Sequence, residues 1–135
     1  MLAFDEELVI IAPLAHPAIA CAQDVGTDTI ICFPVGCVYR RLLHAWLAAG
    51  NIVPEKVLEL SSYHAMVACV ASGTGIALVP RSVLETVRVR DSIAVYTLPE
   101  EYGRLQTYLV WRQGEVSLAL RALQVHILAA NPMRA

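Results

Sequence analysis

Residues 60–80 read LSSYHAMVACVASGTGIALVP, and two hydrophobic periods meet inside them. Ser61 or Ser62 stands where a helix N-cap belongs, because a hydroxyl oxygen there accepts a bond from an otherwise orphaned backbone N–H. Met66, Val67 and Val70 recur at helical spacing as far as Ser72, and Gly73 ends the run. Ile76 to Val79 is then a continuous apolar strand, stopped by Pro80. The stretch carries no formal charge and is long enough to cross a bilayer. Its serines, His64, Gly73, Thr74 and Gly75 nevertheless divide it into short apolar runs separated by turn chemistry, so it reads as soluble structure.

The same alternation continues outward. Upstream, Glu7 to Ala12 is a short apolar run stopped by Pro13, and Thr29 to Phe33 is a second, closed by Pro34 and Gly36. Residues 14–28 read as loop with at most one helical turn. From Cys37 to Ala49 the period becomes helical, with Leu42, Leu43, Trp46 and Leu47 on one side and Gly50 at the C-cap. Lys56 to Leu60 alternates like a strand. Downstream, Arg81 to Val87 is a short helix at best, Ile93 to Leu98 and Gln106 to Arg112 read as strands, and Ser117 caps a last helix. Strands and helices in this order predict an α/β fold, a mostly parallel sheet covered on both faces.

Bulk composition agrees. The chain has 135 residues, 57% of them hydrophobic and only 16% charged, with a mean hydropathy of +0.57. That balance fits strands buried on both faces, and it excludes disorder. A net charge of −2, with no clustered Lys or Arg, argues against nucleic-acid binding by this segment itself. Leu8 to Leu14 followed by residues 18–21 (AIAC) superficially resembles an export signal. Asp5, Glu6 and Glu7 stand where such a signal is positive, so the expected location is cytoplasmic, with no membrane partner.

In such sheets ligands bind beyond the carboxyl ends of strands, where loops enter helix N-termini. Two places fit: Phe33 to Cys37, and Leu60 to Tyr63. Both are expected to present backbone N–H groups suited to a carboxylate, phosphate or sulfate.

The residues at these places carry a family resemblance. The segment Phe33-Pro34-Val35-Gly36-Cys37-Val38-Tyr39-Arg40 with Trp46, Leu47 and Gly50, and residues 61–80, resemble the second subdomain of LysR-type transcription regulators. Glu7 to Pro13 with His16-Pro17 looks like the family's crossover strand and following loop, and Tyr108 to Arg112 with the last helix like its return. The resemblance spans about Leu2 to Leu128. It implies a fold like the type 2 periplasmic binding proteins, a three-layer sandwich in which two subdomains are joined by two crossover strands. The implied bounds are 1–12 for the crossover strand and hinge, 13–105 for the second subdomain, and 106–135 for the return strand and C-terminal helix. One subdomain is then complete and the other partial.

The resemblance also implies a function. A small effector, leaning towards a carboxylate, binds in a cleft between subdomains, and DNA is reached only through an N-terminal domain absent from this segment. The expected effector-binding residues are Gly36, Cys37, Ser61, Ser62 and Tyr63, with Phe33, Gly73 and Arg40 as weaker candidates. Exposed apolar surface on the return strand and last helix is expected to drive a homodimer or higher oligomer. The competing readings are a solute-binding protein of the same fold, which the missing export signal opposes, and a stand-alone dimerising module.

Each candidate has a plainer reading. The serines are ordinary caps, Gly36 a tight turn, and Arg40, like Arg41 beside it, a solvated or interface helix residue. Cys37 at a helix N-terminus has the position of a reactive thiol, against a small residue packed beside the ligand. Cys21, Cys32 and Cys69 have mostly apolar neighbours and are expected to be buried reduced thiols. The four cysteines and His16, His44, His64 and His126 lack metal-ligand spacing, so no metal or cofactor is expected. No nucleophile, phosphate-loop or dinucleotide motif is present, which points away from an enzyme.

Overall fold

Strand β1 (Leu2–Pro13) is the longest strand of the computed structural model, which describes residues 1–26, 29–88, 90–114 and 116–130. Residues 27–28 of the expected loop, residue 89 of the expected second subdomain, and residues 115 and 131–135 of the expected return segment lie outside the described residues. After β1 come β2 (Thr29–Cys32), α1 (Val38–Ala49), β3 (Lys56–Glu59), α2 (Tyr63–Ala71), β4 (Ile76–Pro80), α3 (Arg81–Leu84), β5 (Ile93–Thr97), α4 (Glu100–Gly103), β6 (Arg104–Tyr108) and α5 (Leu118–Ala130). The sheet order is β3-β2-β4-β1-β5, and β6 pairs with β1. β2 lies parallel to both β3 and β4, whereas β1 is antiparallel to both β4 and β5. Four strands of this path therefore point one way and β1 is reversed between two of them.

Because β1 pairs on both edges and is covered on both faces, Leu8 to Ala12 are fully buried, which is why the run reads as continuously apolar. The strand starts earlier than its apolar run, at Leu2. Asp5 and Glu6, which mask it in the sequence, belong to its ladder all the same.

The chain forms two compact units, Glu7–Arg104 and Met1–Glu6 with Leu105–Ala135. In the larger unit, Val9, Ile11, Ile31, Ala77 and Val79 share one sheet face with Met66, Val67 and Val70 of α2 and Leu84 of α3. By strand alternation the opposite face carries Leu8, Ile10, Ile30, Ile76 and Leu78. There α1, which packs on β4, brings in its buried Leu43, Trp46 and Leu47. Each such burial contributes roughly 1.5–3 kcal/mol. The helix ends match their punctuation. At the end of α1, Gly50 is the C-cap and Asn51 takes the left-handed turn, with Asn51 N–H donating to Ala48 and Ile52 N–H to Leu47. The end of α2 closes the same way, Gly73 N–H donating to Val70 and Thr74 N–H to Cys69.

In the smaller unit, Met1 and Leu109 exchange the last two bonds beside β6, at 3.1 and 2.8 Å. The strand runs from Arg104 to Tyr108, shorter than the expected Gln106 to Arg112. Ser117 caps α5, its hydroxyl accepting from Leu120 N–H at 3.1 Å. Ile127 of α5 is buried, while Leu118, Leu123, Val125 and Leu128 are exposed, as are Phe4, Val110 and Trp111. Among the described residues no helix is long and apolar enough to cross a membrane.

One ion pair anchors β1. The Arg81 guanidinium grips the Glu7 carboxylate through two bonds of 2.7 and 3.0 Å, and this holds the Glu7 pKa below its ordinary 4.5. Asp24 is likewise lowered, by bonds from the Ala20 and Cys21 N–H groups and from the Cys21 thiol. A depressed carboxylate pKa stabilises the fold above the unfolded pKa, and that contribution is lost as pH falls through the folded one. The urea midpoint is therefore expected to be flat from neutrality down to about pH 5 and to fall below about 4.5. Glu7→Gln should lower the neutral midpoint and flatten that acid limb; an unchanged limb would mean that the pair is energetically silent. Cys21 is thus exposed rather than buried as expected, drawn to the surface by its bond to Asp24. Cys32 is buried and Cys69 half-buried.

Candidate functional site

Parallel pairing runs from Thr29 opposite Lys56 to Cys32 opposite Glu59. This register sets the carboxyl ends of β2 and β3 side by side, so both expected loops open at one edge of the sheet. Leu60 N–H donates to the Cys32 carbonyl at 3.0 Å, extending the ladder by one bond. Beyond it, the rings of Phe33 and Tyr63 meet edge to face at 4.9 Å, and Tyr39 stands 6.4 Å from Tyr63. An edge-to-face pair is favourable beyond its area burial, and it ties one loop to the other.

The two helix N-termini are finished differently. Ser62, at the N-cap of α2, accepts from Ala65 N–H at 3.4 Å; its own hydroxyl proton is left to donate elsewhere. Cys37, half-buried at the N-cap of α1, makes no capping bond with its side chain. Its thiol stands where Ser, Thr, Asp or Asn ordinarily satisfies an orphan N–H. The turn before it is closed by Cys37 N–H donating to the Pro34 carbonyl at 3.3 Å. Gly36 in that turn has φ +102° with open space around it, a conformation that a side chain strains. A depression of about 290 Å³ is lined there by Val35, Gly36, Cys37, Arg40, Arg41 and His44.

The structure thus brings Phe33, Gly36, Cys37, Arg40, Ser61, Ser62 and Tyr63 to one edge. Ser61 and Ser62 are exposed and Tyr63 half-buried. Gly73 is not among them, since it ends α2 about 15 Å along the helix from Ser62. Arg40 does not stand free. It donates to the Phe33 carbonyl at 3.1 Å and to the Glu59 carboxylate, and the bond to Glu59 raises the guanidinium pKa. Burial pushes the neighbouring Cys32 thiol up, keeping it protonated. Glu59 was not singled out by sequence, and Arg41 was considered there only beside Arg40. Glu59 needed the strand register to be found.

The family model described as LysR substrate binding domain matches residues 2–131. Among curated proteins, the HTH-type transcriptional regulator GltR of Bacillus subtilis (strain 168) is 33% identical over 124 residues, covering 91% of this chain and 42% of that protein. This chain therefore spans less than half the length of that regulator. Among solved structures, the regulatory domain of Synechocystis PCC6803 CcmR in complex with 2-PG has a TM-score of 0.78 at 20% identity, over 96% of this chain and 65% of that one. The effector binding domain of QuiR in complex with shikimate has a TM-score of 0.75 at 22% identity, over 99% of this chain and 65% of that one. These likenesses show the fold.

Proposed function

This chain belongs to the LysR substrate-binding domain family of transcription regulators, and on that footing we propose that it senses a small anionic effector at the adjoining loops 33–37 and 60–63. The carrying observation is the register Cys32 opposite Glu59, with the Phe33–Tyr63 contact beyond it. That arrangement brings the N-termini of α1 and α2 to the same end of the sheet, and N–H groups and dipoles there favour negative charge. Gly36 lets the ligand approach the backbone, Cys37 leaves the α1 terminus without a side-chain cap, and Ser61 and Ser62 supply hydroxyl donors. Phe33 and Tyr63 form an apolar wall between them. The effector acts by binding one state of the regulator more tightly than another, and its differential affinity sets the size of the response. We place DNA contact in a domain outside this segment, and the protein in the cytoplasm. The apolar side chains exposed in the smaller unit support assembly into a homodimer or higher oligomer.

The test is a titration of this chain with a panel of small carboxylates, inorganic sulfate and inorganic phosphate, read by amide NMR. A binding anion is expected to move the amides of residues 35–40 and 61–65 together. At a hundred times its Kd it should stabilise the fold by about 2.7 kcal/mol. Saturable binding that moves amides elsewhere and leaves these two loops unmoved would overturn the assignment.

A further inference from the structure

We propose that Arg40 and Glu59 form a brace that sets the spacing of the two effector loops, so that Arg40 acts as a positioning residue rather than as the cation that holds the ligand. The inference rests on the effector reading for its consequence, but not for its geometry. Arg40 lies in the first turn of α1, and its side chain is only 17% exposed. A single nitrogen, Nη1, donates both backward to the Phe33 carbonyl and across to the Glu59 carboxylate.

Glu59 is the last residue of β3, with Leu60 alone between it and Ser61. One guanidinium therefore fastens the start of the first loop, the first turn of α1 and the strand that delivers the second loop.

An exposed ion pair with no other anchor contributes little. This one differs because its cation is shielded and also bonded to a backbone carbonyl. A charge-assisted bond to a carbonyl fixes the guanidinium in place, so Glu59 meets an already oriented partner. The brace lies beside the Phe33–Tyr63 edge contact and the Leu60 to Cys32 bond. Three links of different chemistry thus join the loops at one level of the sheet. With its charge answered by Glu59, Arg40 offers an incoming anion less than an unpaired arginine would. Arg41 lines the depression with it, as does His44, and is the second arginine there to meet an anion's charge. Held at fixed spacing, the loops are preorganised, and an effector that moves one must move the other.

The experiment is amide hydrogen exchange on the whole chain without any effector, comparing the parent with Glu59→Gln, Arg40→Met, Arg40→Lys and the Glu59→Gln/Arg40→Met pair. Glu59→Gln alters β3, yet exchange is expected to rise about tenfold at residues 36–41 in the other loop. Arg40→Met alters α1, yet should raise exchange comparably at residues 60–65. The double variant should add little to either single one, and Arg40→Lys should restore only part of the protection, since an ammonium lacks the fork. Ile10 and Ile11 in β1 serve as reference amides and should not change. Effects confined to the loop that carries each substitution, or strict additivity in the double variant, would overturn the brace. A uniform rise that includes β1 would overturn it too, by showing general destabilisation. Because no ligand is present, failure here leaves the effector assignment standing, and failure of the titration leaves the brace standing.

Discussion

Ile11→Ala is expected to remove about 2–5 kcal/mol from the unfolding free energy, the range for truncating a fully buried large aliphatic side chain. Ile11 has no exposed surface. It pairs with Ala77 on one side and Val95 on the other, and packs in the cluster with Ile31, Met66, Val67 and Val70. Strand neighbours on both edges and α2 above it prevent collapse into the space left behind, so the cavity term adds to the lost transfer energy. Against a total stability of roughly 5–15 kcal/mol, that loss is large. Urea denaturation followed by circular dichroism measures it, with Val35→Ala as the control: Val35 is 84% exposed and should stay within about 0.5 kcal/mol of the parent. If Ile11→Ala behaved like the control, β1 would not be the centre of this core.

Gly75→Ala is expected to be nearly as damaging for the opposite reason. A Cβ at Gly75 would overlap the Thr29 carbonyl oxygen and stand 3.1 Å from the Thr29 carbonyl carbon and Cβ. The obstacle is backbone at the start of β2, and the next residues, Ile30 and Ile76, are paired in parallel register. Neither strand can step aside without loosening that pairing, so the added methyl should cost roughly 1–3 kcal/mol or more. Gly26→Ala is the matched control, because nothing lies within 4 Å of its Cβ position. There the stiffer unfolded chain should leave stability unchanged or raise it by up to about 1 kcal/mol. Equal midpoints for the two variants would show that β2 and β4 are not in the close contact described. A loosened β2 also predicts faster amide exchange at Ile30 and Ile31 in Gly75→Ala, which Gly26→Ala should not show.

The candidate site was legible where its signals are short in range. Ser62 at the start of α2 and the turn at Gly36 each follow from a few neighbouring residues, and both stand where the spacing put them. Gly73 was legible as a helix end, and as an end it lies the length of α2 from the loop it was grouped with. Arg40 reads in the sequence as an open cation, because its answering charge lies on another strand. Cys21 reads as buried from its apolar neighbours, yet the bonds that Asp24 accepts from it turn it outward.

By itself, then, the sequence determined the order of the strands and of every helix but the short α4, their caps and breakers, the family, and the two loops at which a ligand site was to be sought. These rest on periodicities and capping bonds that close within a few residues, where chain connectivity alone brings the partners together. Only the tertiary structure decided that β1 is reversed between β4 and β5, that β6 pairs with β1, and that Glu59 answers Arg40. Each depends on residues far apart in the chain being held in register by a sheet buried on both faces. A one-residue slip in that register would move every side chain of a strand to the other face, and no local pattern states which partner prevents it.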